Sequence, residues 1–403
     1  MRGLEDYERN VVERCVDEPL LDQVRQWAEI NSGSANLDGL AKMAMVYRDA
    51  FAALPGTPNL LEPDPSDVMA ADGSLRETRH GQNLHLRVRP KAPVQLLFTG
   101  HMDTVFGLDH PFQSVFWRKE GVLGGPGVAD MKGGIAVMLA ALKAVEGSPI
   151  ADRFGYEVVI NSDEEIGSPG SAGLIASAAQ GKLAALTYEP AALPDGTLAG
   201  ARPGSGNFSI FVSGRSAHAG RNPDDGRNAI LAAADLALRL ARIEGPGLSV
   251  NPARIEGGGP NNVVPDRAVL RVNMRPAGPA DQRRAQAELD AAVAMVAGAH
   301  EVQMHVHGGF GRPPKPMDAA AERLFALVKK CGAALGQHID WQATGGVCDG
   351  NNIAACGVPV VDTMGVRGGG IHSEEEYLIV ESLVERAQLS ALTILRLVQG
   401  DYL

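Results

Sequence analysis

The sequence has only four cysteines, Cys15, Cys331, Cys348 and Cys356, with no CxxC pair and no zinc-ribbon spacing. They read as reduced thiols in a reducing compartment, not as a disulfide scaffold. Long apolar runs are also missing. The most apolar stretch, residues 133–142, is about half the length that spans a bilayer. The opening MRGLEDYERN carries charge where a signal peptide carries an apolar segment. A soluble cytoplasmic protein with no membrane partner is therefore the expectation. Positive charge is short as well: 37 Lys and Arg stand against 48 Asp and Glu, a formal net charge of −11. A phosphate-backbone binder needs a basic surface, so no nucleic-acid partner is expected.

What is present is globular: 403 residues, 45% hydrophobic and 21% charged. That length suggests two or three domains and allows a sizeable core. Residues 20–30 and 40–54 carry apolar positions at helical spacing, and Pro55 and Pro58 stop the second helix. Residues 83–88 alternate like a strand, and 94–99 form an apolar run like a strand buried on both faces. A helix over 131–145, a strand over 156–161, a helix over 170–179 and a strand over 183–188 complete an α/β layer with a mostly parallel sheet.

Near residue 199 the pattern changes. Strand 207–213, helix 225–242, strands 249–256 and 267–274, helix 280–297 and strand 301–306 give a β-α-β-β-α-β order, the ferredoxin-like arrangement. After the Gly/Pro-rich 308–316 the α/β alternation returns, with helices over 319–335 and 378–397 and strands over 339–343 and 359–364. The expected organisation is an α/β domain in two parts, 1–199 and 313–403, with an α+β domain, 200–312, inserted between them.

The polar residues that could do chemistry follow the apolar strands. His101-Met-Asp103 comes directly after one; ligands in open α/β sheets bind at the carboxyl ends of strands. Asp130 lies in a glycine-rich loop before a helix, where it is either an N-cap or a bridging carboxylate. Asp163-Glu164-Glu165 are consecutive acids after another strand. Such a run repels itself unless it is solvated or a cation neutralises it. Glu189 ends a further strand. His372 follows three glycines, with Glu374 to Glu376 reading as acids at a helix N-terminus. The remaining histidines lack such settings; His305 and His307 share a strand face read as exposed.

Taken singly, each piece has an ordinary reading as a polar turn or a cap. Together, His, Asp, Glu, Glu and His are donors that zinc accepts. They number enough for two tetrahedral ions sharing one carboxylate, an arrangement that polarises a carbonyl and generates hydroxide. A neighbouring free carboxylate can then act as general base.

The pieces GHMDTV, GPGVADMKGG, SDEEIGSPGS, TYEP, VSGRSAHAG and GGGIHSEEEY, in this order across about residues 90–385, resemble a known family. It comprises co-catalytic zinc peptidases, including glutamate carboxypeptidase, acetylornithine deacetylase and succinyl-diaminopimelate desuccinylase. GVCDGNNIAACGVPVVDTMG, before the last histidine, is most similar to the glutamate carboxypeptidase branch. The resemblance implies a zinc-peptidase-like catalytic domain with an inserted dimerisation domain. It implies two Zn2+ per subunit, with Co2+ or Mn2+ also tolerated. Asp130 would bridge the metals, His101 and Glu189 would complete one site, and Glu165 and His372 the other. Glu164 would be the general base, Asp103 the partner of His101, and the bond after Asp130 cis.

The same resemblance implies a homodimer in which His218 stabilises the oxyanion in the partner's site. Asn262 and Arg275 would bind substrate, Arg275 through a free α-carboxylate, with Arg312 as the next candidate clamp. Cys348 stands where relatives often have Ser or Thr and reads as a small packed residue. The implied function is hydrolysis of a peptide or N-acyl bond next to an amino acid with a free carboxylate. An N-acyl-amino-acid deacylase is the alternative, and a non-catalytic binding homologue a remote one.

Overall fold

The computed structural model describes residues 3–402; the outermost positions of the expected first and last segments, 1–2 and 403, lie outside it. The run Val94–His101 is buried over its last six residues, as a strand covered on both faces must be. It lies within a six-stranded sheet ordered Asn59–Leu61, Asn83–Val88, Phe154–Asn161, Val94–His101, Ala184–Thr187, Val360–Val361. The last four run parallel, and the first two close one edge antiparallel. Alternate side chains feed two apolar layers. Leu96 and Phe98 join the helices Gly134–Glu146 and Glu381–Gln399 and the N-terminal helices. Leu97 joins Ala172–Ala179 and Asp349–Ala355 on the other face.

Gly134 shows why the helix Gly134–Glu146 can lie so close to the sheet. A Cβ there would sit 1.9 Å from the Tyr188 carbonyl oxygen, beside the strand end that carries Glu189. The helix begins three residues later than its apolar pattern predicts. Asp130 and Met131 hold non-helical backbone angles inside the irregular turn Val128–Gly133, and the Asp130–Met131 bond is cis.

A second, four-stranded antiparallel sheet is ordered Leu248–Gly257, Arg267–Pro276, Ser205–Ser213, Gln303–Arg312. The helices Ala229–Arg242 and Pro279–His300 cover one face and share a separate core with it. Period-two alternation sorts the strand Arg267–Pro276 cleanly: Leu270, Val272 and Met274 face the helices. Arg271, Asn273 and Arg275 point the other way, out of that core. Residues 308–312, whose glycines suggested a linker, continue the strand Gln303–Arg312; Gly308 holds φ +96° there. The helix Asp6–Arg14 precedes the two N-terminal helices marked by apolar spacing, and the strand Tyr377–Ile379 stands where the last helix is expected to start.

The chain crosses between the two sheets twice, and the crossings meet. Arg202 N–H donates to the Lys315 carbonyl (2.9 Å) and Lys315 N–H to that of Arg202 (3.0 Å). Asp362 receives both side chains, at 2.8 and 2.9 Å. Asn351 Nδ2 donates to the carbonyls of Pro203 (2.9 Å) and Pro313 (2.7 Å). Among the described residues no helix is long and apolar enough to cross a membrane, and all four cysteines are free thiols.

Candidate metal centre

The carboxyl ends of three parallel strands converge with the Asp130 loop and the His372 turn. His101 Nδ1 lies 2.9 Å from the Asp103 carbonyl, which can only accept, so Nδ1 carries the proton. That leaves Nε2 facing acids: 3.1 Å to Asp130 Oδ1 and 3.6 Å to Glu189 Oε2. On the other side, His372 Nε2 is 3.3 Å from Asp130 Oδ2 and 3.1 Å from Glu165 Oε2. Asp130 therefore presents one oxygen to each imidazole. Donor atoms of His101, Asp130 and Glu165 lie within 4.8 Å of one another, as do those of His101, Glu164 and Glu189.

The Asp103 carboxylate is buried and organises the acids behind it. It accepts from the N–H groups of Glu164 and Glu165, both at 3.1 Å, and from Ser34 Oγ at 2.7 Å. Glu164 is not paired with an imidazole. Its Oε1 accepts from Arg312 Nη2 at 2.7 Å. Arg312 is itself buried and also holds Asp349 and Asn352 with Nη1. Asp349 in turn accepts from Asn161 (2.8 Å) and Ser168 (2.6 Å). The guanidinium offered by the sequence as a second substrate clamp is thus committed to Glu164 and Asp349.

Two residues were not singled out by sequence. Ser34 reaches Asp103 from the N-terminal segment, with no local signal of its role. Glu376 was read as a helix-terminal acid, and the structure corrects this. The helix starts only at Glu381, and Glu376 is buried under the Asp130 loop. Its carboxylate accepts from the N–H groups of Gly127 (3.1 Å), Ala129 (2.9 Å) and Asp130 (3.0 Å). A glycine-rich loop with several unpaired N–H groups needs such an acceptor; that need was the available clue.

Burial raises the carboxyls of Glu164, Glu165 and Glu189 above the usual range, with neighbouring acids adding to the effect. Burial opposes ionisation of Asp130 too, but His101 and His372 hold its carboxyl low. Acids packed this way reach neutrality only by taking up protons or cations. The donor set, all imidazole nitrogen and carboxylate oxygen, fits a pair of divalent ions of the zinc type.

Two joined compartments open on this cluster, of about 870 and 330 Å3, sharing Glu164, Glu165 and His372 in their walls. Arg275 lines the larger. It donates to Asn273 Oδ1 (3.1 Å) and the Gly345 carbonyl (3.0 Å), with no carboxylate partner among the described residues. His218 and Asn262 lie elsewhere, on the exposed loops of the second sheet. They are neighbours: Ala219 N–H donates to the Asn262 carbonyl (2.9 Å), and His218 bridges Val263. Neither lines the two compartments. Cys348 is buried beside Asp362, and burial pushes its thiol well above the ordinary value. A thiol held in that form is packing, not a nucleophile.

Comparison with known proteins agrees with this geometry. Residues 97–396 match the pattern described as peptidase family M20/M25/M40. The chain is 31% identical over 328 residues to carboxypeptidase G2 of Pseudomonas sp. (strain RS-16), covering 79% of this chain and 78% of that protein. It is 30% identical over 314 residues to a succinyl-diaminopimelate desuccinylase of Xanthomonas oryzae, covering 72% and 80%. Its fold resembles that of a tripeptidase from Staphylococcus aureus, with a TM-score of 0.70, 23% identity, and 96% and 99% of the two chains covered.

Proposed function

The chain belongs to peptidase family M20/M25/M40, and from that membership we propose a two-metal hydrolase that cuts an amide bond next to an amino acid with a free carboxylate. The observation that carries this reading is Asp130, placed between His101 and His372 with one carboxylate oxygen toward each.

His101, Asp130 and Glu189 would hold one ion, and Asp130, Glu165 and His372 the other. Zn2+ suits these donors, with Co2+ or Mn2+ as substitutes; when bound, such a pair polarises a carbonyl and makes water a nucleophile near neutral pH. Asp103 fixes His101 and the backbone of both glutamates. Glu164, held through one oxygen by Arg312, keeps the other to take a proton from the attacking water and pass it to the leaving amine. Arg275 offers a planar fork to the substrate's α-carboxylate.

We take residues 200–312 as an inserted dimerisation domain between two parts of the catalytic domain, 1–199 and 313–403. The active form is then a homodimer. His218 and Asn262, side by side and away from their own chain's cluster, would complete the partner's site, with His218 donating to the oxyanion and Asn262 orienting the bound group. The free thiols support a cytoplasmic setting. The same chemistry serves an N-acyl-amino-acid deacylase, which likeness to the desuccinylase favours as a second reading.

Metal analysis followed by a hydrolysis screen of N-acyl amino acids and dipeptides tests the proposal. Two ions per chain and cleavage restricted to substrates with a free carboxylate are expected. A fully loaded protein that cleaves none of them would overturn it.

A further inference from the structure

The cluster's two compartments can be read by asking which of their basic side chains remain available. Arginines 202, 275 and 312 and histidines 80, 307 and 372 line them, and no lysine does. Arg312 is committed to Glu164 and Asp349. Arg202 has both arms on Asp362, at 2.8 and 3.1 Å. His307 faces Asp67, 3.3 Å away, and His80 is buried with Nε2 2.6 Å from Ser66 Oγ. His372 belongs to the acid cluster. Arg275 is left, the one cationic lining residue without an acidic or cluster partner among the described residues.

Its surroundings are neutral. Arg275 touches Asn273, and Asn273 touches Ser205 and Asn207 along the same sheet face. Asn207 is exposed and accepts through Oδ1, leaving its amide N–H2 without a partner among the described residues. A donor of this kind serves a carboxamide, hydroxyl or carbonyl oxygen, and brings no positive charge to offset that of a second carboxylate. The smaller compartment is walled mainly by apolar and small residues, among them Ala191, Pro194, Val347 and Ile371. Asp67, Glu164 and Glu165 already face His307, Arg312 and His372, so a second carboxylate on the substrate would find no uncommitted cation beyond Arg275 among the described lining residues. Displacing water from a charge without pairing it is costly, whereas a neutral group needs no such partner.

We infer that the substrates carry one carboxylate only: an uncharged acyl group on a neutral amino acid, with acyl-glutamates and succinyl-amino acids disfavoured. This rests on the reading in which Arg275 holds the α-carboxylate. It sets the chain apart from the glutamate carboxypeptidase branch that its motifs resemble.

The test uses isosteric pairs with the metal-loaded enzyme. N-acetyl-glutamine is compared with N-acetyl-glutamate, and N-succinamoyl-leucine with N-succinyl-leucine. The neutral member is expected to show kcat/KM higher by ~10- to 100-fold in each pair. Asn207→Arg, which adds a second cation beside Arg275, should narrow the glutamine–glutamate gap at least several-fold. Calorimetric titration of metal-loaded Glu164→Gln protein with the same compounds gives the ranking without turnover. Equal or better use, or binding, of the dianionic members overturns the inference while leaving amide hydrolysis standing. If none of the compounds binds or is cleaved, the functional reading fails and takes the inference with it.

Discussion

Arg312 closes a bond across the chain's two sheets: its Nη2 lies 2.7 Å from Oε1 of Glu164. The arginine ends the strand Gln303–Arg312, and the glutamate follows the central strand Phe154–Asn161. Burial raises the Glu164 carboxyl, and the guanidinium opposes that rise. Replacing Arg312 with Met removes the opposing charge. The apparent pKa of the base should climb, and since only the carboxylate accepts a proton, activity should be lost first at the acid end. The acid limb of the kcat–pH profile is expected to move to higher pH, with partial return in Arg312→Lys. An unchanged profile would show that Arg312 does not position or tune the base.

Glu164→Gln keeps the shape of the site but cannot take up a proton. It should retain its metal, measured by elemental analysis, and lose ~10²–10⁴-fold in kcat. Near-wild-type turnover with full metal would remove Glu164 from the role of base.

Arg275→Ala should cost roughly 10–200-fold in kcat/KM, the worth of a charge-assisted pair of about 1.5–3 kcal/mol. Amidated substrates should lose as much with the wild-type enzyme. The mutant should scarcely distinguish acid from amide. A mutant that keeps the full preference for the free acid would release Arg275 from this role.

His218→Ala and Glu164→Gln proteins should each be nearly inactive. Mixed and allowed to exchange subunits, they should regain part of the activity, because one hybrid site holds both intact groups. Exchange verified by mass spectrometry without recovery would speak against action across the dimer.

Glu157 gives a stability test far from the chemistry. Burial pushes its carboxyl up, but His85, Lys182 and Arg87 outweigh this and bring it from 4.5 down to about 2. The ionised form is thus favoured by folding. Its contribution is complete above about pH 4.5 and is lost as pH falls toward 2. Glu157→Gln should destabilise the protein by about 1–3 kcal/mol at pH 7, through lost charge pairing and a less well-partnered Lys182. Denaturation series across pH 2 to 7 should show a shallower acid slope for the variant.

Much of this architecture was legible because burial writes a pattern into the chain. The run that becomes Val94–His101 reads as a doubly covered strand, and the change to alternation after about residue 199 marks a sheet with one face open. The acids after each strand were visible because strand ends are where such sheets put their ligands. Glu376 and Ser34 were not visible, since their roles arise from backbone N–H groups and a carboxylate distant in sequence. Arg312 was noticed as a cation but not as Glu164's partner. That pairing depends on how the strand Gln303–Arg312 lands against the central sheet, which no local periodicity records. The glycines at 308, 309 and 311 concealed the second half of that strand, which reads only as far as residue 306.

The ladder between Arg202 and Lys315 ties the departure of the second sheet to its return. More than a hundred residues leave and return through two backbones lying side by side, close enough to exchange hydrogen bonds. The whole excursion is therefore anchored at one seam, and the only arm it extends to Glu164 among the described residues is Arg312, so its length and surface can vary while that one contact with the carboxylate cluster is kept.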